Sequence, residues 1–85
     1  MWKMEVLIME RIHEILNDIV SGVDLDKENC LVTDGYIDSF DIVTIIDRLE
    51  EEFNISIPVE SMVPENFESI DAMYLLISSI KDGES

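Results

Sequence analysis

Cysteine is nearly absent from this chain of 85 residues, which has only Cys30. An internal disulfide is therefore excluded, and so is a zinc site that needs several cysteine ligands. We assign Cys30 no chemistry and expect it to be a small, half-buried residue of a loop. A chain without disulfides favours a cytoplasmic location.

Basic residues are also scarce, because five lysines and arginines stand against 20 acidic residues, for a formal net charge of -15. Such a charge repels the phosphates of nucleic acids and of anionic lipids, so we expect neither as a partner. We expect basic patches on other proteins to be its binding partners instead. A disordered chain could also be this acidic, but 47% hydrophobic residues in a periodic arrangement argue against disorder.

Long apolar segments are missing as well. Glu5, Glu10 and Arg11 interrupt the apolar residues of the N-terminal region, so we expect neither a signal peptide nor a membrane span. We expect a single domain over residues 1–85. A domain of that size buries only about 60 to 65% of its unfolded surface and has little room to enclose a substrate, so we expect no enzyme.

Histidine is represented by His13 alone, which falls on the polar side of the first helical pattern between Glu10 and Asn17. No second histidine is present to share a metal ion or to activate a nucleophile. We therefore expect His13 to be a solvated side chain without a catalytic role.

A calcium-loop pattern is incomplete in this sequence. Asp24, Asp26 and Glu28 alternate as in such a loop, but Asn29 and Gly35 stand where the loop would need glycine and glutamate. We therefore expect no metal site of that type. A loose cation could still be held by three other carboxylates, those of Asp34, Asp38 and Asp41.

Helical periodicity dominates the remaining sequence. The first helix is predicted from about Lys3 to Val20, with Ser21 and Gly22 ending it. Its apolar stripe consists of Met4, Ile8, Ile12, Ile15, Leu16 and Ile19, with Trp2 and Val6 partly off the stripe. A long connection over residues 21–37 follows and is expected to pack its apolar residues inward, namely Val23, Leu25, Leu31, Val32 and Ile37.

The second helix is predicted to begin at Ser39. Asp38 and Ser39 both offer capping side chains after a turn at Gly35, so we expect Ser39→Ala to remove part of a helix cap. The apolar stripe consists of Ile42, Ile45, Ile46, Leu49 and Phe53. Phe40 lies off this stripe, on the polar side, and an apolar ring there predicts a partner.

The C-terminal third predicts one short and one long helix. Residues 54–57 are expected to form an extended connector, and Pro58 is expected to start a short helix that runs to Met62 and is ended by Pro64. Ser69 is predicted to cap the last helix, whose apolar stripe is Ile70, Met73, Ile77 and Ile80 and which ends near Gly83. The fold class is therefore all-α, a small bundle of three main helices plus one short helix.

The chain resembles a known family over nearly its whole length. The residues that carry the resemblance are Asp38, Ser39 and Phe40 at a helix start, Glu50-Glu51-Glu52-Phe53 at its end, and then Ile55, Ile57 and Pro58. This arrangement is similar to that of the acyl and peptidyl carrier proteins. The resemblance implies that Ser39 is esterified with 4'-phosphopantetheine donated by coenzyme A, whose thiol holds an acyl or aminoacyl group as a thioester.

The branch of the family is indicated by two segments. Residues 33–40, TDGYIDSF, replace the Asp-Leu-Gly-x-Asp-Ser-Leu loop that is common in fatty-acid carriers, and residues 65–70 read ENFESI. Both look like the D-alanyl carrier and other stand-alone aminoacyl carriers. The departure from the fatty-acid pattern puts a role with long acyl chains in doubt.

The resemblance also implies partners. They are a phosphopantetheinyl transferase, an acyl- or aminoacyl-adenylating ligase and a downstream transferase or synthase, with the carrier itself a monomer. The residues expected to dock these enzymes are Asp38, Phe40, Asp41, Val43, Thr44, Asp47 and Glu51. No catalytic residue is expected in the chain, because no histidine or lysine near Ser39 in sequence could act as its base.

Two other functions fit parts of the pattern. An acidic helical interaction or inhibitor protein without a prosthetic group would use the charge and the helices but not Ser39, which would then only be a residue at a helix start. A hydrolase with Ser39 as nucleophile fails, because the only histidine lies on the first helix and no oxyanion-hole motif is present.

Overall fold

Three α-helices and two short 3-10 turns make up the regular structure of residues 2–83, which a computed structural model describes with side chains from residue 5 onward. The α-helices are α1 (Trp2–Ile19), α2 (Ser39–Phe53) and α3 (Ile70–Gly83), and the 3-10 turns are Val59–Ser61 and Pro64–Phe67. The described residues contain no strand. The all-α bundle predicted from periodicity is confirmed.

The core is formed by the predicted stripes of the three helices together with the connections. Helix α1 packs against both α2 and α3. The buried residues are Ile12, Ile15, Leu16, Val20, Leu25, Leu31, Ile37, Ile45, Ile46, Leu49, Ile55, Ile57, Phe67, Ile70, Met73, Leu76 and Ile77. Ile8, Ile19, Ile42, Phe53 and Ile80 are half-buried against this core. The predictions for the side chains of Trp2 and Met4 lie outside the described side chains.

The connection between α1 and α2 is ordered by inward-facing apolar residues, as predicted. Leu25, Leu31 and Ile37 are buried, and Val23 and Val32 are half-buried. The backbone N-H and carbonyl groups of such a loop also need hydrogen-bond partners, and the loop turns back on itself to supply them. The N-H groups of Tyr36 and Ile37 both donate to the carbonyl of Leu31, at 2.9 and 3.0 Å.

The segment between α2 and α3 differs from the prediction of one short helix. The extended connector predicted over residues 54–57 is wrong at its first residue, because Asn54 ends α2 in the left-handed conformation with a φ of 53°. Residues 55–57 have no regular secondary structure, and the following helix is a 3-10 turn of three residues, Val59–Ser61. Pro64 does not merely end it: Pro64 begins a second 3-10 turn, where its missing N-H costs nothing. That turn buries Phe67 completely, a core residue that the periodicity did not indicate.

The last helix is capped as predicted. The Ser69 hydroxyl oxygen accepts the N-H of Ala72 at 3.0 Å, and Asp71 lies in the first turn, where a negative charge is favoured. None of the helices in the described residues is long and apolar enough to cross a membrane.

Candidate functional site

The start of α2 is held by a reciprocal capping box. Asp38 is the N-cap: its Oδ1 accepts the N-H of Asp41 at 2.9 Å, and Asp41 Oδ2 accepts the N-H of Asp38 at 3.2 Å. Ser39 is the first helical residue. The expectation that Ser39 shares the capping is therefore wrong, because Ser39 is already helical and the Asp38 carboxylate alone accepts the N-H of Asp41.

Apolar packing fixes the direction in which the chain enters α2. Ile37, one residue before the cap, is only 1% exposed, and Ile42, four residues after it, packs half-buried against the core. These are the two positions of a hydrophobic staple. Ser39 thus sits between a buried residue and a closed capping box, so its backbone has little freedom although its side chain is exposed.

A carboxylate from far along the chain secures the loop that leads to Ser39. Glu68 Oε1 accepts the N-H groups of Val32 and Thr33 at 2.8 and 3.0 Å, and Glu68 Oε2 accepts the Thr33 hydroxyl at 2.5 Å. The Glu68 carbonyl also accepts the N-H of Leu31 at 2.9 Å. We call these four bonds the Glu68 clamp. The hydrogen bonds from Thr33 lower the pKa of Glu68 below its usual range.

The predicted turn at Gly35 is present. Gly35 has a φ of +84°, a conformation that side chains disfavour, and its N-H donates to the carbonyl of Val32 at 3.1 Å. Nothing lies within 4 Å of where a side chain would begin. The glycine is therefore required by its backbone angle and not by crowding.

Phe40 and Val43 form an exposed apolar pair beside Ser39 in sequence. Phe40 is 84% exposed and Val43 is 64% exposed, so Phe40 does not belong to the core, as the helical wheel predicts. The Thr44 hydroxyl donates to the Phe40 carbonyl at 3.1 Å, which keeps Thr44 on the same turn. Four other proposed docking residues are exposed, namely Asp38, Thr44, Asp47 and Glu51. Asp41 is half-buried, because its carboxylate turns back to the cap.

The site suits a phosphodiester better than a reacting nucleophile. The first N-H groups of α2 have no partners within the helix, and Asp38 satisfies that of Asp41, so those of Ser39 and Phe40 remain to face a negative group. The Ser39 hydroxyl makes no hydrogen bond to any described residue. An attached group would project from an exposed position without displacing core residues.

His13 is not near this chemistry. It is half-buried on α1, with Nε2 lying 3.9 Å from Asp26 Oδ1 in the long loop. The prediction of a solvated side chain is therefore met only in part: the His13 side chain is 37% exposed, because the loop folds back over the polar side of α1. His13 joins a helix to a loop and does not serve Ser39.

The carboxylates predicted to share a loose cation do not come together. Asp38 and Asp41 turn towards backbone amides, and the group whose ligand atoms lie within 4.8 Å of one another in the described residues is Glu28, Cys30 and Asp34. Cys30 is exposed, which corrects the expectation of a half-buried residue. Partial loss of water and then the carboxylate of Asp34 raise the pKa of this thiol, which disfavours the thiolate form.

Comparison with known proteins identifies the family. A family model described as a phosphopantetheine attachment site matches residues 7–77, which include all of the site described above. No solved structure gives a significant match. Members of this family are carrier domains, not catalytic ones, and they carry 4'-phosphopantetheine covalently on a serine. The chain therefore belongs to the phosphopantetheine-attachment family of carrier proteins.

Proposed function

We propose that this carrier protein holds an acyl or aminoacyl group as a thioester on 4'-phosphopantetheine attached to Ser39. The observation that carries this proposal is the exposed Ser39 hydroxyl at the first residue of α2, within the stretch that the family model matches. Ser69 also lies at a helix start, but it is half-buried and its oxygen is engaged as the cap of α3. Ser39 is thus the better presented of the two.

The chain supplies a hydroxyl and a rigid helix start, and a separate phosphopantetheinyl transferase supplies the catalysis. In the transfer, the Ser39 oxygen forms the new bond to phosphorus and the pyrophosphate bond of coenzyme A breaks. Adenosine 3',5'-bisphosphate leaves, and the hydroxyl proton passes to a base of the transferase. The carboxylates of Asp38 and Asp41 next to Ser39 disfavour a negative charge on its oxygen in the free protein. Ser39 is therefore inert until an enzyme covers it.

Docking of that enzyme falls to the exposed side of α2. Phe40 and Val43 offer an apolar contact, and Asp47 and Glu51 lie on later turns of the same helix as negative charges. Exposed aromatic residues and charges of one sign suit a basic partner surface with an apolar centre. Asp38 and Asp41 contribute charge, but their carboxylates also hold the cap.

An aminoacyl cargo fits the sequence better than a long acyl chain. The two segments that look like aminoacyl carriers, residues 33–40 and 65–70, are the ones that the Glu68 clamp joins. The hydrogen bonds between Thr33 and Glu68 support a shared role for the two segments in holding the loop before Ser39. The partners proposed on this basis are an aminoacyl-adenylating ligase and a downstream transferase.

The attachment is tested by incubating the protein with coenzyme A and a transferase of broad specificity, followed by intact mass and peptide mapping. We expect one phosphopantetheine per chain, on the peptide that contains Ser39, and none in Ser39→Ala. Ser79→Ala is a matched control, because Ser79 is an exposed serine on α3 and should leave the mass gain unchanged. A gain that persists in Ser39→Ala would refute the assignment. Loading the modified protein with amino acids and with fatty acids by adenylating enzymes then identifies the cargo class.

A further inference from the structure

A groove with an apolar floor lies between α1, the long loop and the start of α3. Its volume is about 250 Å³, and its floor is made of Val6, Met9, Leu25 and Ile70. Leu25 and Ile70 are buried, whereas Val6 is 47% exposed. The volume falls below the range of about 300 to 1,000 Å³ that is usual for ligand pockets, so the groove suits one or two side chains of a partner better than a whole cofactor.

The rim of this groove is acidic. Four carboxylates surround the floor, those of Glu10, Asp26, Glu28 and Asp71. Asp26 faces His13, which also lines the groove, and Glu28 accepts the N-H of Cys30 at 3.0 Å. Glu10 and Asp71 form no ion pair with any described side chain. Two carboxylates at an apolar opening are thus left for a cation from outside.

Three of the chain's five lysines and arginines are held elsewhere. Arg11 lies near Glu14 and Glu52, and Arg48 lies 3.1 Å from Asp18. The Lys81 ammonium group donates to a carbonyl at the end of α2. None of these side chains lines the groove. A second copy of the chain is a poor occupant, because two molecules with a charge of -15 each repel one another.

From the acidic rim and the apolar floor we infer that the groove is a second docking surface, which takes a segment of a partner protein that presents a lysine or arginine beside an apolar side chain. No residue of α2 lines the groove, so a partner bound there leaves Ser39 and the exposed side of α2 open to another enzyme. A carrier bound in this way stays attached to one protein while its serine reaches a second.

The test uses a fluorescent synthetic helix of lysine and leucine as the probe, with the full chain at physiological salt. Glu10→Gln combined with Asp71→Asn should weaken binding about fivefold or more, because two charge pairs are lost together. The matched control is Glu60→Gln with Glu65→Gln, which changes the net charge equally at exposed positions outside the groove and should stay within about twofold. Ser39→Ala should bind as the parent does.

Amide shifts of the labelled protein locate the bound peptide. Shifts centred on Met9, His13 and Leu25 support the groove, and an all-lysine peptide should bind at least about fivefold more weakly because it cannot fill the apolar floor. Equal weakening in both double variants, shifts centred on α2, or equal binding of the all-lysine peptide would overturn the proposal. The proposal would also be overturned if the parent protein sedimented as a dimer and Val6→Ser made it monomeric. The groove would then be filled by a second copy of the chain.

Discussion

At the residue scale, Asp38 and Ser39 are neighbours with separate roles. Asp38 closes the capping box with Asp41, whereas the Ser39 side chain makes no hydrogen bond to any described residue. The sequence offered both as capping residues and could not choose between them, because the choice depends on where the chain turns into the helix. In the structure Asp38 is the extended residue before the helix, with φ -108° and ψ -173°, so Asp38 is the cap.

Substitutions at these two positions should therefore separate stability from modification. We expect Ser39→Ala to change the free energy of unfolding by about 0.5 kcal/mol or less, because no cap is lost. Asp38→Ala should cost about 0.5 to 2 kcal/mol through the lost cap but still accept phosphopantetheine. Urea unfolding followed by circular dichroism measures both. An equal loss of stability in the two variants would contradict the assignment of the cap.

Phe40 gives the second prediction at this scale. Because Phe40 is 84% exposed, Phe40→Ala should unfold within about 0.5 kcal/mol of the parent, whereas modification by the transferase should slow if the ring contacts that enzyme. Phe67→Ala is the control, since Phe67 is fully buried and should cost about 3 to 5 kcal/mol. Normal modification kinetics in Phe40→Ala would remove Phe40 from the docking surface.

At the scale of elements, the Glu68 clamp connects the approach to α3 with the loop before α2. The clamp needs the ionised carboxylate, because Glu68 accepts three hydrogen bonds and donates none. Its lowered pKa means that the folded state favours ionisation. The stabilisation is therefore complete at pH values above the usual glutamate pKa and is lost as the pH falls through the lower pKa of the folded protein.

This linkage predicts how Glu68→Gln behaves. The variant should be less stable than the parent at neutral pH, and the difference should shrink as the pH falls below about 4.5, where the unfolded parent takes up its proton first. Glu65→Gln, an exposed change three residues earlier, should show no such pH-dependent difference. Unfolding by urea at a series of pH values measures this. A difference that is constant across the series would show that the Glu68 charge does not hold the loop.

Elements whose side chains repeat with helical periodicity were predictable, and contacts between distant residues were not. The apolar stripe from Ile42 to Phe53 predicted α2, because the three- and four-residue spacing of its apolar residues is itself the signature of a helix. The side chain of Glu68 binds Val32 and Thr33, which lie 36 and 35 positions before it in sequence. Nothing near Glu68 in sequence indicates that its carboxylate binds this loop. Phe67 was missed for a related reason, since a 3-10 turn of four residues is too short to show a period.

At the scale of the whole molecule, negative charge is the dominant electrostatic feature. Two ion pairs join α1 to α2, Arg48 with Asp18 at 3.1 Å and Arg11 with Glu52 at 3.7 Å. Both pairs are partly exposed, so each contributes only about 0 to 1 kcal/mol to the free energy of unfolding. Repulsion among the remaining carboxylates opposes folding, while the same charge attracts basic partner enzymes. One property thus has opposite effects on stability and on association.

Salt should separate these effects. Raising the ionic strength from about 0.01 to 0.15 M shortens the Debye length from about 30 to about 8 Å. The melting temperature should rise because repulsion within the chain is screened. The value of kcat/KM for modification by the transferase should fall because the attraction between the two proteins is screened. Asp47→Asn with Glu51→Gln should slow modification at low salt and flatten its salt dependence, because these charges lie on the proposed docking side of α2. Glu5→Gln with Glu65→Gln removes as much charge from exposed positions outside α2 and should alter the modification rate far less. Equal slowing by the two pairs would mean that the net charge, and not the face of α2, guides the transferase to Ser39.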